Sequence, residues 1–488
     1  MKALENLLDG LKYQCIIGEP SRVMIQAVEF DSRVANTGSL FVAVKGFSQD
    51  GHDYLQSAYD EGCRCFIVDR KVDFQLDDIC LVQVADSSEA LALVAANYFD
   101  EPSKELKLIG ITGTNGKTTC ATLMYDLFCG LGYKTGLLST VVNKIGKELV
   151  LATHTTPNPV ALNALLRDMV NAGCSHCFME VSSHAIDQNR TFGLCFEGGV
   201  FTNISHDHLD YHKTFSAYIK AKKQFFDRLP LASFALVNTD DKNGLIMLQN
   251  TNAKRRHYAL KTPADYKAKV IENALSGLIL DLDGTEFYSR LIGRFNAYNL
   301  LAVYAVAMLL NEDKIETLGV LSNLKSVEGR FQYLKTQNGP TTIVDYAHTP
   351  DALLNVIDTI TAIKKQKSRL ITVVGCGGDR DKDKRPVMAS IAGAKSDELI
   401  LTSDNPRSED PEQILKDMQA GLTSDQLDTA FTIPNRRDAI KLAVKLADEH
   451  DVILIAGKGH EKYQEIKGIK HDFDDYKIAS EFTNQMKN

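Results

Sequence analysis

Leu108-Ile109-Gly110-Ile111-Thr112-Gly113-Thr114-Asn115-Gly116-Lys117-Thr118-Thr119 carries the most specific local pattern in the chain. A short apolar run passes into a loop with two glycines. Beyond it Leu123, Leu127 and Leu131 recur at helical spacing until Gly130 and Gly132 stop the pattern. The order is strand, glycine-rich loop, helix. Gly113 and Gly116 let backbone N–H groups turn inward around phosphate oxygens, and a helix N-terminus adds partial positive charge. Lys117 is then placed for the outer phosphates and the Thr118 hydroxyl for Mg²⁺. The spacing departs from the strict phosphate-loop pattern, because five residues separate Gly110 from Gly116 and Ile111 stands where the first glycine belongs. A tight turn with a solvated lysine is the bland alternative. It leaves the order of strand, loop, Lys-Thr and helix without a reason, so a nucleoside triphosphate is the expected ligand. Hydrolysis, phosphoryl transfer and ligation all stay open at this point.

At 488 residues the chain exceeds what one core serves, and about three domains are expected. With 44% hydrophobic and 24% charged residues the chain reads as an ordinary soluble protein. A formal charge of -8 argues against a nucleic-acid partner, which selects a clustered basic face. No apolar run approaches the roughly 18 residues of a membrane span, and Met1-Lys2-Ala3-Leu4-Glu5 lacks a signal-peptide core. A cytoplasmic location and a monomer are the expectations. The cysteines, Cys15, Cys80, Cys120, Cys129 and Cys195 among them, read as reduced core residues. Cys174-Ser175-His176-Cys177 has half a zinc spacing, but no second pair follows.

Residues 1–103 alternate strand-like runs (Val23-Met24-Ile25, Leu40 to Val44, Cys65 to Val68, Cys80 to Val84) with turns and a helix pattern over Ser88 to Phe99. This is a small α/β domain. Its polar loops, Asp31-Ser32-Arg33 and Gly46 to Gly51, taken alone read as turns, and Asp100 to Lys104 as a linker. Residues 104–333 form the phosphate-loop domain, with a mostly parallel sheet. Phe178-Met179-Glu180 ends an apolar run, which sets Glu180 where a Mg-nucleotide site needs a carboxylate. Ser205-His206-Asp207-His208-Leu209-Asp210-Tyr211-His212 reads either as a capped polar loop or as a carboxylate–imidazole metal shell. Tyr218, Lys222, Phe225 and Phe226 share a helix face, on which a lysine ordinarily snorkels, while Lys220 and Lys223 read as solvated.

From 334 to 488 five strand-like runs alternate with helices, the pattern of a doubly wound, Rossmann-like sheet. Polar clusters follow four of the strands: Asp345 to Pro350, Gly375 to Asp381, Ser403 to Arg407, and Gly457 to Glu461. Ligands bind outside the carboxyl ends of such strands, so the four together outweigh four ordinary loops.

Taken together, the sequence resembles the Mur ligases, ATP-dependent amino-acid ligases of peptidoglycan precursor synthesis. The resemblance rests on Gly113 to Thr118, Glu180-Val181-Ser182-Ser183-His184, Asn203 with Asp207 to Asp210, Gly293-Arg294-Phe295-Asn296-Ala297-Tyr298-Asn299, Gly329-Arg330, Asp345-Tyr346-Ala347-His348, and Asp404-Asn405-Pro406-Arg407. Seven ordered motifs cover nearly the whole chain. The resemblance is greatest to members that add the third amino acid to UDP-N-acetylmuramoyl-L-alanyl-D-glutamate. It implies a nucleotide-sugar domain, an ATPase domain and an amino-acid-binding domain, in that order. It implies that Ser32, Thr155, Thr156, Ser182, Gln188 and Arg190 contact the UDP-muramyl dipeptide. Gly113 to Thr119, Asn296, Asn299, Arg330 and Asp345 would hold ATP, and Thr118, Glu180, His208 and Lys222 would hold two Mg²⁺ ions. Lys222 would act as a CO₂-derived carbamate, since Tyr218-Ile219-Lys220-Ala221-Lys222 matches the family's lysine motif. Lys117, Lys222 and His208 would be the catalytic set.

For the incoming amino acid the resemblance implies Arg380, Asp404, Asn405, Pro406, Arg407, Gly457 and Glu461, and meso-diaminopimelate as substrate. An arginine meets a carboxylate through two parallel charge-assisted bonds, so Arg407 suits the second carboxylate that lysine lacks. Arg380 is assigned to the carboxylate of the reacting end, Asp404 and Glu461 to the ammonium beside the far carboxylate. The reaction implied passes the γ-phosphate of ATP to the D-glutamate γ-carboxylate, and the amine then attacks the acyl phosphate. A lysine-adding relative and a folylpolyglutamate synthase-like ligase are the nearest alternatives. A regulatory GTPase is a more distant one, for which Asn238-Thr239-Asp240-Asp241 lacks the guanine-stacking lysine.

Overall fold

The structure, a computed structural model, describes the chain except residues 47, 48, 75, 77, 153, 336–338 and 486–488. Two positions of the Gly46 to Gly51 loop therefore lie outside the described residues. The chain divides into two compact units, Met1–Ile204 with His208–Tyr258, and Ser205–Asp207 with Ala259–Asn488.

Besides the antiparallel pair of Lys2–Ala3 with Met24–Ile25, the first unit contains two larger sheets. A five-stranded sheet has the order Tyr13–Ile17, Cys80–Val84, Cys65–Val68, Ser39–Val42, Ala27–Glu29, parallel except for its first strand. The helix Ser87–Tyr98 starts where the Asp86 carboxylate accepts from the Ser88 and Glu89 amides, and it buries Ala90, Leu91 and Val94 against this sheet. The second sheet places Lys107–Thr112 centrally, between His176–Glu180 and Gly198–Phe201, with Thr135–Leu138 and Phe234–Asn238 outside these, all parallel. These five strands are buried almost throughout, which is why they read as unbroken apolar runs.

The second unit begins with an antiparallel meander, Tyr266–Ala274, Gly277–Leu282 and Thr285–Ser289, followed by the helices Arg294–Leu309 and Lys314–Leu321. Its six-stranded sheet runs Gln332–Lys335, Thr341–Asp345, Val452–Ala456, Leu370–Val374, Glu398–Thr402, Phe431–Ile433, parallel except for the first strand. Leu353, Ile357, Met388, Ile414 and Met418 from three helices close one face, and Ile440, Ala443 and Ile478 from two helices close the other. The strand ends at Asp345, Val374, Thr402 and Ala456 all open on one edge, because parallel strands share a direction.

Four expectations need correction. Cys15 is exposed, since its strand is the sheet's edge, and Cys129 and Cys195 are only partly buried. Lys222 does not snorkel but is 1% exposed. Lys223 is not solvated, because it pairs with Asp227 one helical turn on at 2.6 Å. The run from Ser205 to His212 is not one cluster: Ser205–Asp207 group with the second unit, and His212 in the first is buried with Nε2 2.9 Å from Ser183 Oγ. No helix among the described residues is long and apolar enough to cross a membrane.

Candidate active site

In the first unit the loop after Lys107–Thr112 takes its shape from the neighbouring strand end. The Asn203 carbonyl accepts from Thr114 N–H at 2.8 Å, Asn203 Oδ1 from Asn115 N–H at 2.9 Å, and Thr202 Oγ1 donates to the Asn115 carbonyl at 2.7 Å. Gly113 has φ +151, and a Cβ there would lie 1.9 Å from Thr202 Oγ1, so only glycine fits. Gly110 serves packing instead, since a Cβ there would lie 2.6 Å from Phe225 and 2.8 Å from Phe196. The helix Lys117–Gly130 begins at Gly116 (φ +87) with no capping side chain, the kind of helix start that takes a phosphate. Lys117 Nζ donates to the carbonyls of Gly113 (2.9 Å) and Thr114 (2.8 Å), spanning the loop. Lys222 Nζ reaches the same Gly113 oxygen at 2.8 Å, below the Tyr218 ring. Thr118 and Thr119 are buried on the helix's first turn.

Glu180 ends the adjoining strand, fully buried. Its Oε1 accepts from Thr140 N–H at 2.7 Å, while Oε2 is buried without a hydrogen-bond partner among the described residues. An orphaned buried carboxylate oxygen is what a cation would satisfy, and Mg²⁺ is characteristically held by one or two carboxylates, a hydroxyl and substrate phosphates. The donor set fits. No group of three His, Cys, Asp or Glu side chains among the described residues is arranged for a metal, so Thr118 and Glu180 would need substrate oxygens to complete a shell. His208 sits at φ +53, with its ring edge-on to His184 at 4.9 Å.

Behind Glu180 lies a connected polar group. Thr156 Oγ1 donates to the Glu180 carbonyl at 2.8 Å and accepts from Ser182 N–H, and Thr140 Oγ1 donates to Thr155 Oγ1 at 3.0 Å. Arg190 donates to the Thr156 carbonyl at 2.8 Å and to Gln188 Oε1 at 2.7 Å; burial pushes its pKa down. Ser182 caps the helix Ser183–Asp187. Five of the six residues expected at the muramyl peptide thus come together, while Ser32, buried in the loop after Ala27–Glu29, has no hydrogen bond to them among the described residues.

In the second unit Asn296 and Asn299 bond to each other at 3.0 Å on the helix Arg294–Leu309. Asp345 has both oxygens capped, by Phe331 N–H (2.7 Å) and Ala347 N–H (2.8 Å); burial raises its pKa and the Arg330 guanidinium opposes that. Arg330 lies over the Tyr346 ring at 4.4 Å.

The residues expected at the incoming amino acid converge more closely than their spacing shows. Asn405 is the hub: Nδ2 donates to Glu461 Oε2 at 2.7 Å, Oδ1 accepts from Lys458 Nζ and Glu465 N–H, each at 2.9 Å, and its carbonyl accepts from Gly378 N–H. A Cβ on Gly457 would meet Asp404 Oδ2 at 2.6 Å, so that glycine lets two strand ends touch. The Pro406 carbonyl presses on Gly378, where a Cβ would be 2.0 Å away. Arg407 holds φ +51 and donates Nη1 to the Gly378 carbonyl at 2.7 Å. The guanidinium is therefore partly satisfied without a ligand, and lysine would not leave it wholly unpaired. Arg380 is exposed and makes no hydrogen bond or ion pair among the described residues. Lys458, Arg385 and Arg436, all fully buried behind these loops, were missed as site residues. The Gly457 to Glu461 cluster held the one available signal, a lysine three residues before Glu461 whose other partners, Asn405 and Asp404, lie over fifty positions away.

Three family models match, Mur ligase family, catalytic domain at residues 24–102, Mur ligase middle domain at 111–307, and Mur ligase, glutamate ligase domain at 329–459. The chain belongs to the Mur ligase family and is an ATP-dependent ligase. Among curated relatives it is 54% identical over 465 residues to the UDP-N-acetylmuramoyl-L-alanyl-D-glutamate–2,6-diaminopimelate ligase of Cytophaga hutchinsonii, covering 95% of this chain and 96% of that one. Identity to the ligase of the same name from Phocaeicola vulgatus is 50%, covering 99% of this chain and all of the other. A solved structure of a UDP-N-acetylmuramoyl-L-alanyl-D-glutamate–2,6-diaminopimelate ligase superposes with a TM-score of 0.71 at 31% identity, covering 100% of this chain and 99% of that one.

Proposed function

We propose that the chain joins meso-diaminopimelate to UDP-N-acetylmuramoyl-L-alanyl-D-glutamate at the expense of ATP. The observation that carries this reading is the Asp404-Asn405-Pro406-Arg407 loop, which sets carboxylates and guanidinium together around Asn405 at a strand end. The names of two curated relatives that match nearly the whole chain point the same way. In this reading residues 1–103 bind the nucleotide sugar, 104–333 ATP and 334–488 the amino acid, and the three family matches fall within or close to those bounds.

Lys117 and the loop amides draw charge from the γ-phosphoryl group as it moves to the D-glutamate γ-carboxylate, releasing ADP and leaving an acyl phosphate. The unprotonated amine of diaminopimelate attacks that carbonyl and phosphate departs, so no enzyme nucleophile is required. Arg190, Gln188, Ser182, Thr155 and Thr156, with Ser32, orient the acceptor; Asn296, Asn299, Arg330 and Asp345 hold the nucleotide. Arg407 takes the far carboxylate of diaminopimelate and Arg380 the near one. Two Mg²⁺ ions, held through Thr118, Glu180, His208 and Lys222, would neutralise phosphate charge. Burial of Lys222 on Gly113 O supports its conversion to a carbamate, which replaces a buried cation by a carboxylate-like ligand. A cytoplasmic monomer goes with these small-molecule substrates.

The test is ADP release from Mg-ATP with each substrate alone and together. Sustained release is expected only with the UDP-muramyl dipeptide and diaminopimelate both present. Release that a pterin acceptor stimulates, or that needs no amino acid, would refute the reading.

A further inference from the structure

The amino-acid pocket already contains a cation. Lys458 is 0% exposed, and its Nζ lies 2.9 Å from Asn405 Oδ1, 3.3 Å from Glu461 Oε2 and 3.9 Å from Asp404 Oδ1. The Tyr463 ring covers it at 5.5 Å. An ammonium taken out of water persists only with acceptors of this kind. The two carboxylates that suit a ligand's ammonium are therefore not both uncompensated, because Lys458 offsets one of them. Close by, Arg436 pairs with Asp475 at 2.7 Å, both fully buried, and the partly exposed Arg407 lies 3.8 Å from Glu465.

The two competing amino acids differ electrostatically at the far end alone. Diaminopimelate presents an ammonium and a carboxylate there, with no net charge, whereas lysine presents a bare cation. Every positive charge fixed near that end favours the zwitterion over the cation, and every negative charge does the reverse. Resting on the function proposed above, we infer that Lys458 is a specificity-determining positioning residue: it lowers the negative potential around Asp404 and Glu461, so that the pocket accepts the extra carboxylate of diaminopimelate and gains little from lysine. It also fixes Asn405, through which the Asp404 to Arg407 loop is held.

The experiment compares kcat/KM for meso-diaminopimelate and L-lysine in the full chain and in three variants, Lys458→Met, Lys458→Gln and Lys458→Arg. Glutamine keeps a donor for Asn405 but removes the charge; arginine keeps the charge. The ratio of the two values should fall at least about tenfold in the Met and Gln variants, mainly through KM for diaminopimelate, and should recover in the Arg variant. Equal losses on both substrates, or a Gln variant that does not fold, would assign Lys458 to structure alone and overturn the inference. A wild-type chain without preference for diaminopimelate would instead sink the proposed function, so the two failures are distinguishable.

Discussion

Lys117 and Lys222 share one carbonyl acceptor, Gly113 O, at 2.9 and 2.8 Å, yet their surroundings assign them different work. Lys117 stands at the helix entrance, so removing it should cost chemistry more than folding. Lys117→Ala is expected to keep its melting temperature and lose about 10²-fold or more in kcat, the scale of one preorganised charge-stabilising donor. Lys222→Ala should be nearly inactive too, but a small carboxylate such as formate should restore part of its rate, because what is lost is an anionic ligand. Restoration of both variants, or of neither, would remove the distinction. Lys117, Thr118 and Glu180 were legible as residues, since a phosphate loop and a strand-end carboxylate have local signatures. Lys458 was not, because its role depends on Asp404, Asn405 and Glu461 meeting across two strand ends.

The Gly375 to Asp381 and Asp404 to Arg407 loops are held from behind by the helix Lys384–Lys395. Its Arg385, 0% exposed, donates to both oxygens of Glu409, at 2.8 and 3.0 Å, and to Asp417 at 2.8 Å; Glu409 in turn accepts from Asp379 N–H. Arg385 is the main reason the Glu409 carboxyl is held down from 4.5 to about 2. A carboxyl with a depressed folded-state pKa stabilises the fold above its unfolded value and ceases to do so as pH falls through the folded value. The melting temperatures of wild type and Glu409→Gln should therefore differ at neutral pH and converge between about pH 4.5 and about 2. A gap that stays constant over that window would show that the clamp contributes no charge-dependent stability. Burial on one or both faces decides which elements an amino-acid pattern reveals. Parallel strands buried on both faces, such as Leu370–Val374 and Val452–Ala456, announce themselves as apolar runs. The first strand of the meander, Tyr266–Ala274, does not: it has a single fully buried residue, so no apolar run marks it. The hairpin of Tyr463–Ile466 and Ile469–Asp472 is hidden for the same reason, with no fully buried residue in either strand.

Across the whole molecule the order of the three family segments was legible because each carries its own motif, and the phosphate loop falls in one compact unit while the proposed amino-acid pocket falls in the other. What spacing left open was the charge the pocket presents, and that charge decides the amino acid. Equal concentrations of meso-diaminopimelate and L-lysine, supplied together with Mg-ATP and the UDP-muramyl dipeptide to the unmodified chain, put the question to the protein directly. Mass analysis of the UDP-linked product should find the diaminopimelate adduct in large excess, by about two powers of ten or more, the discrimination expected when a site built for a polar group meets an analogue lacking it. Comparable amounts of the lysine adduct would contradict the account.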